Sequence, residues 1–180
     1  MQASSYRHRD ISYKEMFRTI LNCTRPKTIV EFGILNGYTL SIFATLKDSE
    51  IRAYDIFEEF NGNHAKRMIT QMFKDYPNVS INYGDLFKCH REFESSSIDL
   101  LHIDIANTAY TYQFVKTYYF PKMRDGGVIC LEGGSVERDD VLWMKKYNKP
   151  PINPILQEWK KEGINYVTVG VMPSLTIVYF

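Results

Sequence analysis

The chain of 180 residues has the length of one ordinary domain, and a domain of that size buries roughly 70% of the surface its unfolded chain exposes. Its composition, 44% hydrophobic, 14% aromatic and 24% charged, argues against intrinsic disorder, and a formal net charge of +1 with acids and bases interleaved gives no field to hold nucleic acid or an anionic membrane. The three cysteines, Cys23, Cys89 and Cys130, are far apart and in no C-x-x-C spacing, which speaks against a disulfide framework or thiolate zinc site and fits a reducing cytoplasm.

The first ten residues read as a polar arm without an apolar signal core, and no later apolar run approaches the ~20 residues that span a bilayer, so a soluble chain is expected. From Ile11 to Cys23, Tyr13, Phe17, Ile20 and Leu21 fall on one helical stripe with charges elsewhere, which predicts a covering helix. Thr28 to Phe32 is a short β-branched run ending at Gly33, and after Gly37 the stretch Tyr38 to Leu46 has helical character: strand, tight turn, helix. The pattern repeats with a strand over Ile51 to Asp55, a helix over Asn63 to Tyr76, and strands over Val79 to Tyr83 and Ile98 to Asp104. A helix is expected within Thr111 to Met123, then a turn at Asp125-Gly126-Gly127 and an apolar strand over Val128 to Leu131. Helices near Asp139 to Tyr147 and Pro154 to Glu162 precede strands around Asn165 to Gly170 and Leu175 to Tyr179, and the Met172-Pro173-Ser174 turn is short enough for an antiparallel hairpin. This alternation implies one α/β domain over residues 1–180, a Rossmann-like, doubly wound, mostly parallel sheet with helices on both faces and an antiparallel C-terminal edge.

In such a sheet ligands lie beyond the carboxyl ends of the strands, so the residues that end each strand are the informative ones. The first strand ends in Glu31-Phe-Gly33-Ile-Leu35-Asn-Gly37, where Gly33 permits close backbone approach and Gly37 leads into a helix whose free N–H groups can receive an anion. The second ends in Asp55, about 20 residues beyond the glycines, where a carboxylate suits the ribose hydroxyls of an adenosine. The third ends in Gly84-Asp85-Leu86 and the fourth in Asp104. A lone E-x-G-x-x-x-G also serves as a plain strand-to-helix turn; the ordered series is the more specific signal.

On these residues the chain resembles the class I S-adenosylmethionine-dependent methyltransferases and is similar to small O-methyltransferase groups that include antibiotic-sugar enzymes. The likeness covers about residues 28–135, and the final hairpin fits the family's last two strands. It implies S-adenosylmethionine as cofactor, with the turn through Gly33, Leu35 and Gly37 beneath its methionine part and Glu31 bracing that loop or meeting the amino group. It further implies Asp55 on the ribose, Asp85 and the Leu86 backbone on the adenine, and Asp104 beside the methionine end and the transferred methyl. Asp85 alternatively makes an Asx-type turn. The expected partner is a small polar acceptor such as a sugar or sugar-bearing metabolite, methylated on oxygen, with no nucleic acid or membrane and with room for a homo-oligomer.

The family pattern breaks after the fourth and fifth strands. Metal-dependent O-methyltransferases hold a divalent cation there with one carboxylate and an Asp-Asp or Asp-Asn pair, whereas this chain has Glu132-Gly133-Gly134, so a site without metal is expected. Methyl transfer needs positioning first and a base only for a poorly acidic hydroxyl. Asp104, His102 and Glu132 are the catalytic candidates, with Asn107, Tyr110 and Glu132 for orienting the acceptor. His102 shares a strand face with Asp104, although a histidine inside an apolar strand otherwise serves as a hydrogen-bonded core residue.

Asn107-Thr-Ala-Tyr110 lies where nucleic-acid amino-methyltransferases carry N-P-P-Y, but without the prolines. Tyr112 to Lys116 and Tyr118 to Lys122 match the dehydrogenase Y-x-x-x-K without an upstream serine and read better as an aromatic stripe. Two alternatives stand beside the methyltransferase: an NAD-dependent oxidoreductase, which wants a tighter G-x-G-x-x-G, and a non-catalytic S-adenosylmethionine-binding domain. Acceptor contacts are expected from the arm before Ile11, Asn107 to Tyr112, and Ser135 to Pro151.

Overall fold

The computed structural model describes residues 11–59 and 63–180, with side chains from Tyr13 onward; the N-terminal arm lies outside the described residues. Strands β1 (Thr28–Phe32), β2 (Glu50–Asp55), β3 (Val79–Tyr83), β4 (Ile98–Ile103) and β5 (Met123–Glu132) are joined by α2 (Tyr38–Phe43), α3 (Lys66–Met72), α4 (Leu86–Cys89) and α5 (Ala109–Tyr118). They form one sheet with β6 (Tyr166–Gly170) and β7 (Ser174–Tyr179) in the order β3-β2-β1-β4-β5-β7-β6. The first five strands pair in parallel, and β7 lies antiparallel between β5 and β6. The order reverses between β1 and β4, the switch point beyond whose carboxyl ends sheets of this kind bind their ligands.

Side-chain alternation sends each strand's residues to two cores. Ile29, Leu100, Val128 and Cys130 pack with Tyr13, Phe17 and Leu21 of α1 (Ile11–Thr24) and with Leu40 and Phe43 of α2. Val30, Phe32, Leu101, Ile103 and Leu131 face the other way, onto Tyr112 and Val115 of α5 and onto Leu156 and Trp159 of α8 (Asn153–Lys161). Helices thus cover both faces, and the expected stripe of the first helix is the buried one.

Three expectations about local structure are corrected. Residues Asp125-Gly126-Gly127 lie within β5, where the pairing with β4 shifts register between Ile98↔Met123 and Leu100↔Val128; Gly126, at φ 77°, supplies the left-handed residue of an irregularity inside the strand. The helix expected over Asp139 to Tyr147 is two short ones, α6 (Val136–Asp139) and α7 (Leu142–Lys146). It breaks there as the Asp139 carboxylate accepts from the backbone N–H groups of Ile152 (2.7 Å) and Asn153 (2.8 Å), at the start of α8. The third expected helix is shorter, confined to Lys66–Met72.

Candidate active site

The glycine turn after β1 is held from two sides. Gly33 N–H donates to the Tyr54 carbonyl at 2.9 Å, and Asp104 N–H donates to the Phe32 carbonyl at 2.9 Å. A Cβ built on Gly33 would lie 2.0 Å from the Asp104 carbonyl oxygen, so the strand ends close on each other only because no side chain intervenes. Leu35 takes a left-handed φ of 49° and Gly37 one of 77°, with Gly37 N–H donating to the Ile34 carbonyl at 2.8 Å.

Asp55 fixes this turn. Its Oδ2 accepts from the N–H groups of Ile34 (2.7 Å) and Leu35 (3.1 Å), and its Oδ1 from Phe57 N–H (2.6 Å) and Asn63 Nδ2 (2.8 Å). A carboxylate has about four lone-pair sites, so these donors use its capacity. The residue stands at the strand end expected for a ribose contact, and its carboxylate also shapes the loop. Asn63 is a contributor that sequence reasoning missed.

The ends of β1, β4 and β5 gather the charged groups. Glu31 and His102 are register partners, with His102 Nδ1 3.0 Å from Glu31 Oε1; both are buried. The other Glu31 oxygen, Oε2, is buried with no hydrogen-bond partner among the described residues. Burial, and then the Asp55 charge, push the Glu31 carboxyl well above its ordinary range. His102 meets the rings of Phe17 and Phe43 edge-on, and burial pushes its imidazole down to about 3 against the opposing pull of Glu132. One residue beyond β4, half-buried Asp104 is also raised, by burial, then Glu132, then Glu31, with Arg138 opposing.

Glu132 is buried and clasped by Arg138, Nε to Oε1 at 2.6 Å and Nη2 to Oε2 at 2.8 Å. The guanidinium is itself only 3% exposed and lies 4.9 Å from the Trp143 ring centroid. Sequence reasoning missed Arg138, which sits in a charged run of surface-like composition six residues past Glu132. Among the described residues no group of three His, Cys, Asp or Glu side chains is placed to hold a metal ion.

The remaining candidates take structural roles in this arrangement. Asp85 caps α4 by accepting from Phe87 N–H at 3.0 Å, the Asx-type geometry. Leu86 is buried, and its carbonyl accepts from the Tyr119 hydroxyl at 2.8 Å. Asn107 donates through Nδ2 to the carbonyls of Ile103 (3.0 Å) and Glu132 (2.9 Å), clamping the β4 and β5 ends together. Tyr112 is a core residue packed on Trp159, whereas Tyr110 is 67% exposed at the start of α5.

This edge fits S-adenosylmethionine. Among the described residues the carboxyl groups of Glu31, Asp104 and Glu132 gather at this edge with one guanidinium, that of Arg138, and the buried Oε2 of Glu31 is an acceptor without a donor; the cofactor's sulfonium and ammonium would supply positive charge and a donor. A doubly wound sheet of this strand order, with a glycine turn and an acidic row at the switch point, defines an S-adenosylmethionine-dependent methyltransferase. The chain belongs to that family: residues 30–132 match the family described as "Methyltransferase domain". No curated protein matches the chain.

Among solved structures the chain is similar to TomG of Streptomyces achromogenes, an O-methyltransferase involved in tomaymycin synthesis and solved in complex with its cofactor, at TM-score 0.66 and 13% identity over 93% of this chain and 79% of TomG. A methyltransferase from Geobacter sulfurreducens matches at TM-score 0.65 and 15% identity, over 94% of this chain and 78% of that one. The CurJ carbon methyltransferase matches at TM-score 0.65 and 14% identity, over 93% of this chain and 53% of that one. The oxidoreductase alternative gains no support from these likenesses.

Proposed function

We propose that this methyltransferase methylates an oxygen of a small polar acceptor, such as a sugar or sugar-bearing metabolite. The observation that carries the reading is the acidic edge formed by Glu31, Asp104 and Glu132 beyond the glycine turn. It balances a cationic donor and offers carboxylate oxygens to a hydroxyl, and positioning there supplies the larger share of the rate. S-adenosylmethionine supplies an electrophilic methyl group.

In this reading Glu31 and Asp104 face the methionine end, the turn through Gly33, Leu35 and Gly37 backs it, and Asp55 holds that turn in shape. Asp85 and the Leu86 backbone border the adenine. Arg138 holds Glu132 in place, which leaves Asp104 as the group available to receive the acceptor's proton. His102 is enclosed and supports Glu31 from behind. The exposed side chains of Tyr110, Val136 and Leu142 flank the mouth and contribute acceptor contacts.

The test is methyl-labelled S-adenosylmethionine incubated with the chain and a panel of free and glycoside-bound sugars, amines and activated carbon acids, with the labelled position read by NMR. The expected result is a methyl ether. Label on nitrogen or carbon only would overturn oxygen transfer.

A further inference from the structure

We propose that Glu31 and Asp104 read the charge on the cofactor's sulfur: as carboxylates they hold the sulfonium donor, and with a proton added they hold the uncharged thioether product. The inference rests on S-adenosylmethionine occupying this edge and concerns how the site tells donor from spent product.

The geometry sets an imbalance. Arg138 is the cation at the strand ends, and both of its bonded nitrogens are directed at Glu132. That pair takes up two of the guanidinium nitrogens, while Glu31 on β1 and Asp104 after β4, whose backbones meet at Gly33, are bonded to no cation among the described residues and raise one another through their like charge. From β2, Asp55 adds negative field at Glu31. From β4, His102 contributes a hydrogen bond and no charge, since burial keeps its imidazole neutral. From β5, Glu132 adds a further negative charge at Asp104, softened by Arg138 of α6.

Among the described residues no side-chain cation is bonded to either Glu31 or Asp104, and a carboxylate withdrawn from water without a full counter-charge takes up a proton more readily. Both carboxyls are accordingly raised above their ordinary range, chiefly by burial.

Donor and product differ at this edge by one charge. The donor carries sulfonium, ammonium and carboxylate groups; the product keeps the last two. A ligand that stabilises the ionised carboxylates must displace protons that the free site holds, by linkage. Methyl transfer to a hydroxyl also liberates one proton: the O–H bond breaks, an O–CH3 bond forms, and the S–CH3 electron pair returns to sulfur. An Asp104 carboxylate that accepts this proton loses its charge at the moment the sulfur loses its own, and neither is left uncompensated.

The experiment titrates the whole chain calorimetrically with S-adenosylmethionine, S-adenosylhomocysteine and sinefungin, which carries an ammonium-bearing carbon in place of the sulfonium. It is run at about pH 6, where ligand α-amino groups are protonated, in two buffers of different protonation enthalpy, so that the heat difference counts protons released. The two cationic ligands are expected to release up to one proton more than S-adenosylhomocysteine. Their advantage over it should grow by up to about tenfold per pH unit as pH rises.

Asp104→Asn, with Glu31→Gln as the second variant, should shrink the difference in proton count between the cationic ligands and S-adenosylhomocysteine toward zero. Equal proton counts for all three ligands in the unsubstituted chain would overturn the proposal and leave the cofactor assignment standing. Absence of binding by all three would overturn both. The unsubstituted chain decides the matter even if neither variant folds.

Discussion

Among individual residues, His102 shows how strand position separates two roles that its chemistry allows. The imidazole is wholly buried, bonded to Glu31 and edged by Phe17 and Phe43, so it supports the acidic row from within. Its proton equilibrium gives a test. In the unfolded chain an imidazole takes up a proton near pH 6.5, whereas the folded one does so only near pH 3. The depressed value means that the folded state forgoes this proton: its stability is undiminished above about pH 6.5 and falls as pH drops from there toward 3, by at most about 1.4 kcal/mol per pH unit. Glu31 and Asp104, whose values are raised, act in the opposite sense and remain in a His102→Gln variant. Denaturant midpoints at pH 7 and pH 5 should therefore show a larger acid loss in the unsubstituted chain than in the variant. The same loss in both would move the acid-sensitive group elsewhere and reopen His102 as a solvent-linked base.

Where elements meet, the gap between the β1 and β4 ends is the narrowest requirement of the fold. Gly33 combines φ 93° with a built Cβ 2.0 Å from a backbone oxygen, and backbone cannot swing aside as a side-chain tip does. Gly33→Ala is expected to cost about 2–4 kcal/mol, from left-handed strain together with overpacking, and to weaken S-adenosylhomocysteine binding at least tenfold because the turn and Asp104 shift together. A melting temperature and dissociation constant near those of the unsubstituted chain would show that the strand ends are slacker than this contact implies.

The same scale explains what the sequence made legible. β-Branched runs ending in glycine or aspartate gave β1 and β2, and the Tyr13, Phe17 and Leu21 spacing gave the buried stripe of α1, because periodicity is a local property. The glycines of β5 gave a turn signal correctly, but pairing with β4 absorbed it inside the strand. Arg138 and Asn63 were illegible for a different reason: each acquires its role from one carboxylate whose position depends on the assembled sheet, and nothing in the charged run around Arg138 distinguishes it from a solvated surface. Asp55 was legible by place; its hold on the glycine turn was not, since only the folded turn brings four donors to it.

For the molecule as a whole, the reversal of strand order between β1 and β4 brings Glu31, Asp104 and Glu132 to one edge from strands far apart in the chain, and it sets which cation that edge holds. Glu132 ends β5, where a divalent-metal site would need a free carboxylate, yet both its oxygens accept from Arg138, at 2.6 and 2.8 Å. A metal ion entering here would have to displace the guanidinium, and breaking a buried ion pair by uncoupling one partner costs about 3–5 kcal/mol. Asp104 alone is too small a ligand set for magnesium, which is bound through carboxylates in near-octahedral oxygen geometry. Methyl transfer to whichever acceptor the labelling panel identifies should therefore persist in excess EDTA, and added magnesium should change the initial rate by less than about twofold, with positioning and the carboxylates supplying the catalysis. Arg138→Ala should lose activity by a route that magnesium does not restore, since it leaves Glu132 buried without its partner. Activity abolished by EDTA and recovered with magnesium would show that the Glu132–Arg138 pair opens in the working enzyme and that Asp104 and Glu132 hold a metal.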